Sequence, residues 1–176
     1  MLLDFFYIVS ELKKVQRKGW KEKAGVDEPE SVADHSYATA MMSMVFSDTM
    51  NLNKEKILKM ALLHDLAESV IGDFTPNEIS KKSKKVIENK AMDNILANLP
   101  SNLAMQYNEI WKEYEKGSSK ESILMHDIDL LEMAVQAAKY FSEGFSKERL
   151  QGFVESARKE IKSKELLKIL DTLSYK

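Results

Sequence analysis

The chain contains three histidines, each adjoining an aspartate, and two of these pairs, Asp34-His35 and His64-Asp65, lie in predicted core-facing helices. Neighbouring helical residues point about 100° apart, so His64 and Asp65 converge only on something placed over their shared edge. A metal ion suits that place, because it accepts one imidazole nitrogen and one carboxylate oxygen from a single turn. His35, early in its own helix, offers a second imidazole, and Asp129 offers a second carboxylate. The bland alternative is a hydrogen-bonded core histidine, which is the commoner use of histidine on an apolar helix face. More acids stand against it. Glu68 follows His64 by four residues and Asp65 by three, on one helix face, and Asp73 comes directly after Gly72. Three acids and a histidine around one helix end is a concentration of like charge that a folded chain compensates with a cation.

Rigid elements must hold these groups, and the chain supplies helices. Leu2, Leu3, Phe5, Phe6, Ile8, Val9, Leu12 and Val15 recur at helical spacing, which predicts a first helix over about 2–16. The polar stretch RKGWKEKAGVDEPE breaks periodicity with Gly19, Gly25 and Pro29. Ser31 with Asp34 three residues on reads as a capping box before a helix to about Met50. Asn53 caps a helix to about Val70 that Gly72 stops, and DFTPNEIS is a loop. Further helices are expected over about 83–99, 102–115 and 119–141, with two shorter ones starting at Ser146 and Ser163. No stretch alternates as a strand would, so the expectation is an all-α fold, one domain over 1–176.

Composition narrows the function. A chain of 176 residues with 44% hydrophobic and 31% charged side chains has the make-up of a globular domain. The formal net charge of −2 gives no footprint for nucleic acid or an anionic membrane. Cysteine is absent, so any metal is held by nitrogen and oxygen, and thiol chemistry is excluded. Asp4 and Glu11 interrupt the apolar N-terminus, which reads as neither signal peptide nor membrane span, and an intracellular, cytoplasmic location is expected. No phosphate-binding glycine loop, dinucleotide fingerprint or G-x-S-x-G elbow occurs. The methionines at 41, 42, 44 and 50 read as core filling, and the KKSKK run at 81–85 as a solvated helix start.

Four blocks in order carry a resemblance: R-K-G-W at 17–20, E-S-V-A-D-H-S at 30–36, H-D-L-A-E-S-V-I-G-D at 64–73 and D-L-L-E-M at 129–133. Together they resemble the HD-domain metal-dependent phosphohydrolases, in the branch containing the 5′-deoxynucleotidases, from about residue 10 to residue 145. The resemblance implies an HD-type bundle of five or more helices, often a homodimer, with the C-terminal helices packed on the motif-bearing core. It implies His35, His64, Asp65 and Asp129 as metal ligands, and Glu68 and Asp73 as acids of the reaction centre. Arg17 matches the position that grips substrate phosphate, and Trp20 the one that packs on the sugar and disfavours a 2′-hydroxyl. Position 126 is usually basic in such proteins, and the aspartate opening a Leu-rich stretch is the ligand. The second His-Asp pair, His126-Asp127, is accordingly set aside for Asp129, with His126 beside the site.

The chemistry agrees with these residue types. Two imidazoles and two carboxylates suit one Co²⁺, Mn²⁺, Fe²⁺, Ni²⁺ or Zn²⁺ ion, with Mg²⁺ less well matched to imidazole. Glu68 or Asp73 would orient water or pass a proton to the leaving oxygen, and the sequence leaves open which. With only three histidines, a two-metal centre is not expected. Alone, Trp20 would read as a core anchor, and Glu30 and Asp34 as residues of a helix start. The expected activity is release of phosphate from a deoxyribonucleoside 5′-monophosphate. The alternatives are another phosphate ester, such as a nucleoside triphosphate or cyclic nucleotide, and a non-catalytic nucleotide-binding module.

Overall fold

Short side chains at the helix starts set the framework. The computed structural model describes residues 1–75 and 77–173. Its helices are α1 (Leu2–Glu11), α2 (Val32–Thr49), α3 (Lys54–Leu63), α4 (Glu68–Ile71), α5 (Lys81–Leu96), α6 (Ser101–Lys116), α7 (Lys120–Ser142), α8 (Lys147–Glu160) and α9 (Lys164–Thr172). Ser31 Oγ accepts from the Asp34 amide at 3.2 Å, and Asp34 Oδ2 accepts the Ser31 amide at 2.9 Å. That reciprocal pair satisfies two N–H groups that a helix start leaves without partners. Ser119 caps α7 with a reciprocal pair of the same kind, and the side chains of Asn53 and Ser163 each accept one backbone N–H at the starts of α3 and α9. Gly117 ends α6 at φ +62, a left-handed turn that a side chain would strain. No strand occurs among the described residues, and the all-α expectation holds.

Three local differences from the sequence expectation shape the site. The first helix stops at Glu11, and a single tight turn leads to an extended Val15. Here the backbone pairs with the approach to α2, through Val32 N–H to Val15 O at 2.8 Å and Arg17 N–H to Glu30 O at 3.0 Å. The polar stretch then winds into a wide π-type turn over Trp20–Ala24, closed by Gly25 at φ +72. Lastly, the helix expected over 53–70 is broken. Residues 64–67 are held by tighter bonds to the third residue back, as in Glu68 N–H to Asp65 O at 3.0 Å, before α4 begins.

Helix α7 lies at the centre, packed by α2, α3, α6, α8 and α9. Met125 and Ile128 on it are fully buried, as are Ile57 and Met60 on α3. Of the methionines in and just after α2, Met42 and Met50 pack against the core at its edge while Met41 is exposed, and none is among the fully buried residues of α2. The inward face is His35, Ser36, Thr39, Ser43 and Ser47, small polar residues that let neighbouring helices come close. Burial costs little here, because Thr39 and Ser47 donate to carbonyls of their own helix at 2.8 and 2.9 Å. The fold thus delivers an imidazole through an otherwise compact seam.

Asp127 ties the C-terminal helix to this centre. Its buried carboxylate accepts the Lys162 amide at 3.1 Å and the Ser163 amide at 2.7 Å. Asp127→Ala should therefore lower unfolding free energy by about 1.5–3 kcal/mol, the range for hydrogen bonds to a charged acceptor, as read by urea denaturation.

Candidate metal centre

Helix α2 supplies His35, the end of α3 and the tight turn after it supply His64 and Asp65, and α7 supplies Asp129. Their polar atoms face one another. His35 Nε2 is 3.2 Å from His64 Nε2, 3.1 Å from Asp129 Oδ1 and 3.7 Å from Asp65 Oδ2. His64 Nε2 is 3.2 Å from Asp65 Oδ2. One nitrogen of each histidine and one oxygen of Asp129 lie within 4.8 Å of each other, near enough to share an ion. Two imidazole nitrogens aimed at one point with carboxylates on either side form a donor set that fits a divalent cation.

Both rings are locked from behind. His64 Nδ1 faces the Ala61 carbonyl at 2.7 Å, and since a carbonyl only accepts, Nδ1 carries the proton and Nε2 is left to ligate. His35 Nδ1 meets Glu132 Oε2 at 2.5 Å, with both groups buried. Such a carboxylate behind a ligating imidazole orients the ring and raises its basicity. Burial and Arg17 work against a charge on His35, but hydrogen bonds to Asp129 and Glu132 outweigh them and lift its pKa to about 10. Burial likewise opposes ionisation of Asp65 and Asp129. The imidazoles, with Arg17 beside Asp65, more than offset it and hold both carboxyls below their usual range. Glu132 sits in the D-L-L-E-M block, three residues after Asp129, and its place behind His35 is visible only in the structure. Its helical spacing from Asp129 was the available signal.

The remaining site groups ring this cluster. Arg17 Nη1 donates to Asp65 Oδ2 at 3.2 Å, and burial, which opposes its charge, is outweighed by Asp65, Asp129, Glu68 and Glu30. Asp73 Oδ2 accepts the Lys18 amide at 2.8 Å, fixing the loop after Gly72 next to Arg17. Glu68 is 2% exposed. Its Oε1 pairs with Lys84 at 3.2 Å, and its buried Oε2 has no hydrogen-bond partner among the described residues. Burial first, then Asp65 and Asp73, push the Glu68 carboxyl well above the usual carboxylate range against the pull of Lys84 and Arg17.

One expected neighbour, Trp20, lies elsewhere. Trp20 is 2% exposed. Its ring packs on Phe153 at 4.2 Å and Tyr140 at 5.2 Å, and its indole N–H donates to Glu30 Oε1 at 2.9 Å. The structure therefore gives it no free face for a sugar; it anchors the turn that carries Arg17, whose carbonyl accepts the Trp20 amide at 3.2 Å. Glu30, read as a helix-start residue, holds that indole. His126 stacks on Tyr114 at 4.3 Å, and its Nε2 faces the Tyr114 carbonyl at 3.0 Å, so it stands beside the ligands rather than among them.

A cation taking His35 Nε2 competes with a proton held up to about 10, so His35 is protonated at neutral pH and ion uptake releases it. Affinity for Mn²⁺ or Co²⁺, measured by titration calorimetry, should fall by up to about tenfold per unit as pH drops from about 9 to 6. Glu132→Gln should weaken it by about 10–100-fold at fixed pH.

The HD domain family matches residues 9–169, a stretch that also takes in α8 and most of α9. Human 5′-deoxynucleotidase HDDC2 is 38% identical over 173 residues, covering 98% of this chain and 84% of that protein. The Schizosaccharomyces pombe 5′-deoxynucleotidase hdd1 is 41% identical over 144 residues, 79% of this chain and 72% of its own. A crystal structure from Pyrococcus horikoshii OT3 superposes with a TM-score of 0.81 at 31% identity, over 97% of both chains. A Pyrococcus furiosus protein gives 0.78 at 30% identity, over 97% of this chain and 98% of that one. The residues that converge on one point all lie inside the matched stretch, and on that footing the chain belongs to the HD-domain family.

Proposed function

We propose that the protein is a metal-dependent 5′-deoxynucleotidase, which hydrolyses a deoxyribonucleoside 5′-monophosphate to the deoxynucleoside and phosphate. The observation that carries this reading is the meeting of His35, His64, Asp65 and Asp129 with Arg17 and the buried Glu68 at their edge. Relatives of 36–41% identity that carry the name 5′-deoxynucleotidase support the substrate class. The four ligands hold one divalent ion, best Co²⁺ or Mn²⁺ for a mixed nitrogen and oxygen set, with Zn²⁺, Ni²⁺, Fe²⁺ and Mg²⁺ as further possibilities for the assay. That ion supplies Lewis acidity toward the phosphoryl group and acidifies water.

The chain's own residues do the rest. Arg17 presents a planar, permanently charged fork to the phosphate oxygens, a geometry that lysine lacks. Glu68, buried beside Asp65 and Asp73, is the group suited to hold a proton at neutral pH and pass it to the leaving 5′-oxygen. Asp73 holds the loop from Gly72 against Lys18 and lines the approach to Arg17. With Trp20 covered by Tyr140 and Phe153, discrimination against a 2′-hydroxyl falls to other groups around the substrate.

The assembly proposed is a homodimer acting in the cytoplasm. Leu3, Phe6 and Tyr7 on α1, with Tyr37 and Met41 on α2, are exposed apolar side chains. Phe6 and Tyr37 line a groove of about 540 Å³ that also takes in Leu62 and Tyr107. A second copy would cover such a surface. Among the described residues no helix is long and apolar enough to cross a membrane.

With Mn²⁺ or Co²⁺ loaded, phosphate should be released from dAMP faster than from AMP, and Glu68→Gln should lower kcat by about 10²–10⁴-fold. No release from any nucleoside monophosphate would reject the activity, and preference for a triphosphate or cyclic nucleotide would reassign the substrate. Light scattering should give twice the 20.2 kDa chain mass, and Phe6→Asp should reduce it to one.

A further inference from the structure

Of the lysines in the 81–85 run, only Lys84 turns inward, while Lys81, Lys82 and Lys85 are exposed. Its ammonium bridges two carboxylates, 3.2 Å from Glu68 Oε1 and 3.4 Å from Glu88 Oε1. Glu88 lies one turn along α5 and is 15% exposed at its side chain, so it fixes the lysine from its own helix. The loop from Gly72 to Ser80 brings α5 back over α4, and it is pinned at Asp73 by the Lys18 amide and at Glu78 by the Lys18 ammonium at 2.8 Å. Among the described residues no other hydrogen bond holds the Glu68 carboxylate: Oε2 is buried and has no partner. A glutamate has three rotatable bonds, and a group meant to act on a reacting atom must keep within a fraction of an ångström of its place.

We propose that Lys84 is the positioning residue for Glu68. Steadied by Glu88, it holds one oxygen of the carboxylate and so presents the other to the reacting groups. This rests on the reading of the site as a phosphohydrolase centre. The role differs from that of Arg17: Lys84 is taken up by two carboxylates, so it orients an acid rather than gripping phosphate. It also differs from that of a simple structural ion pair, which would be felt in stability and not in one kinetic constant.

The test is a double-mutant cycle on the metal-loaded full chain with dAMP and Mn²⁺, comparing Lys84→Met, Glu68→Gln and the pair. Metal content and melting temperature are measured alongside. Lys84→Met should lower kcat by about 10–100-fold, part of a typical acid–base contribution, and shift KM by less than about threefold, with metal content unchanged. In the Glu68→Gln background the same change should cost less than about twofold, because two residues acting through one group are not additive. Lys84→Arg should recover most of the rate. Should Lys84→Met fail to fold, Lys84→Gln, which keeps a donor of similar reach without the charge, takes its place in the cycle. Wild-type kcat in the single variant, a loss confined to KM, or additive losses in the pair would each overturn the positioning role alone. A wild type that releases no phosphate from any monophosphate would overturn the site reading, and this role with it.

Discussion

In the proposed metal centre, two imidazole nitrogens and two carboxylates come together from three separate parts of the chain, and the architecture around them serves that arrangement. Coordination tolerates errors of a few tenths of an ångström, whereas helices packed by apolar contacts alone slide by more than that. The fold meets the demand with fixed polar anchors behind three of the four groups. Glu132 holds His35, the Ala61 carbonyl holds His64, and Arg17 bonds Asp65. The break at 64–67, where a straight helix was expected, falls where an imidazole and the neighbouring carboxylate come within 3.2 Å of each other.

Burying this much charge is unfavourable unless each group finds an opposite partner, and the neighbours are arranged accordingly. His35 lies between Asp129 and Glu132, Asp65 against Arg17, and Glu68 against Lys84. Glu68 is the exception in degree, since only one of its oxygens is satisfied. An incompletely paired buried acid is costly as structure, and cost of that kind concentrates where chemistry is done.

The segment before α2 shows how packing remote from the reaction sustains it. Trp20, seated among Tyr140, Phe153 and Glu30, links the turn after Arg17 to α7 and α8. The Tyr140 hydroxyl accepts the Glu30 amide at 2.8 Å, and the Glu30 carbonyl accepts the Arg17 amide. A guanidinium at the edge of the cluster is therefore held through backbone bonds that run back into the core.

Much of the framework is local and was legible in the sequence by itself. Ser31 with Asp34, Asn53, Ser119 and Ser163 mark helix starts because a cap is an interaction across three residues, and Gly72 and Gly117 mark ends for a similarly local reason. The types and order of His35, His64, Asp65 and Asp129 likewise pointed to nitrogen and oxygen ligands for one ion. Tertiary structure decided what no window of a few residues contains. It turned Asp129 to the histidines and Asp127 to the start of α9, brought Glu132 to His35 across 97 positions, sent Trp20 into the core and drew Lys84 out of a polar run onto Glu68. Helical spacing says which residues share a face, but only the helices packed around it determine what that face meets.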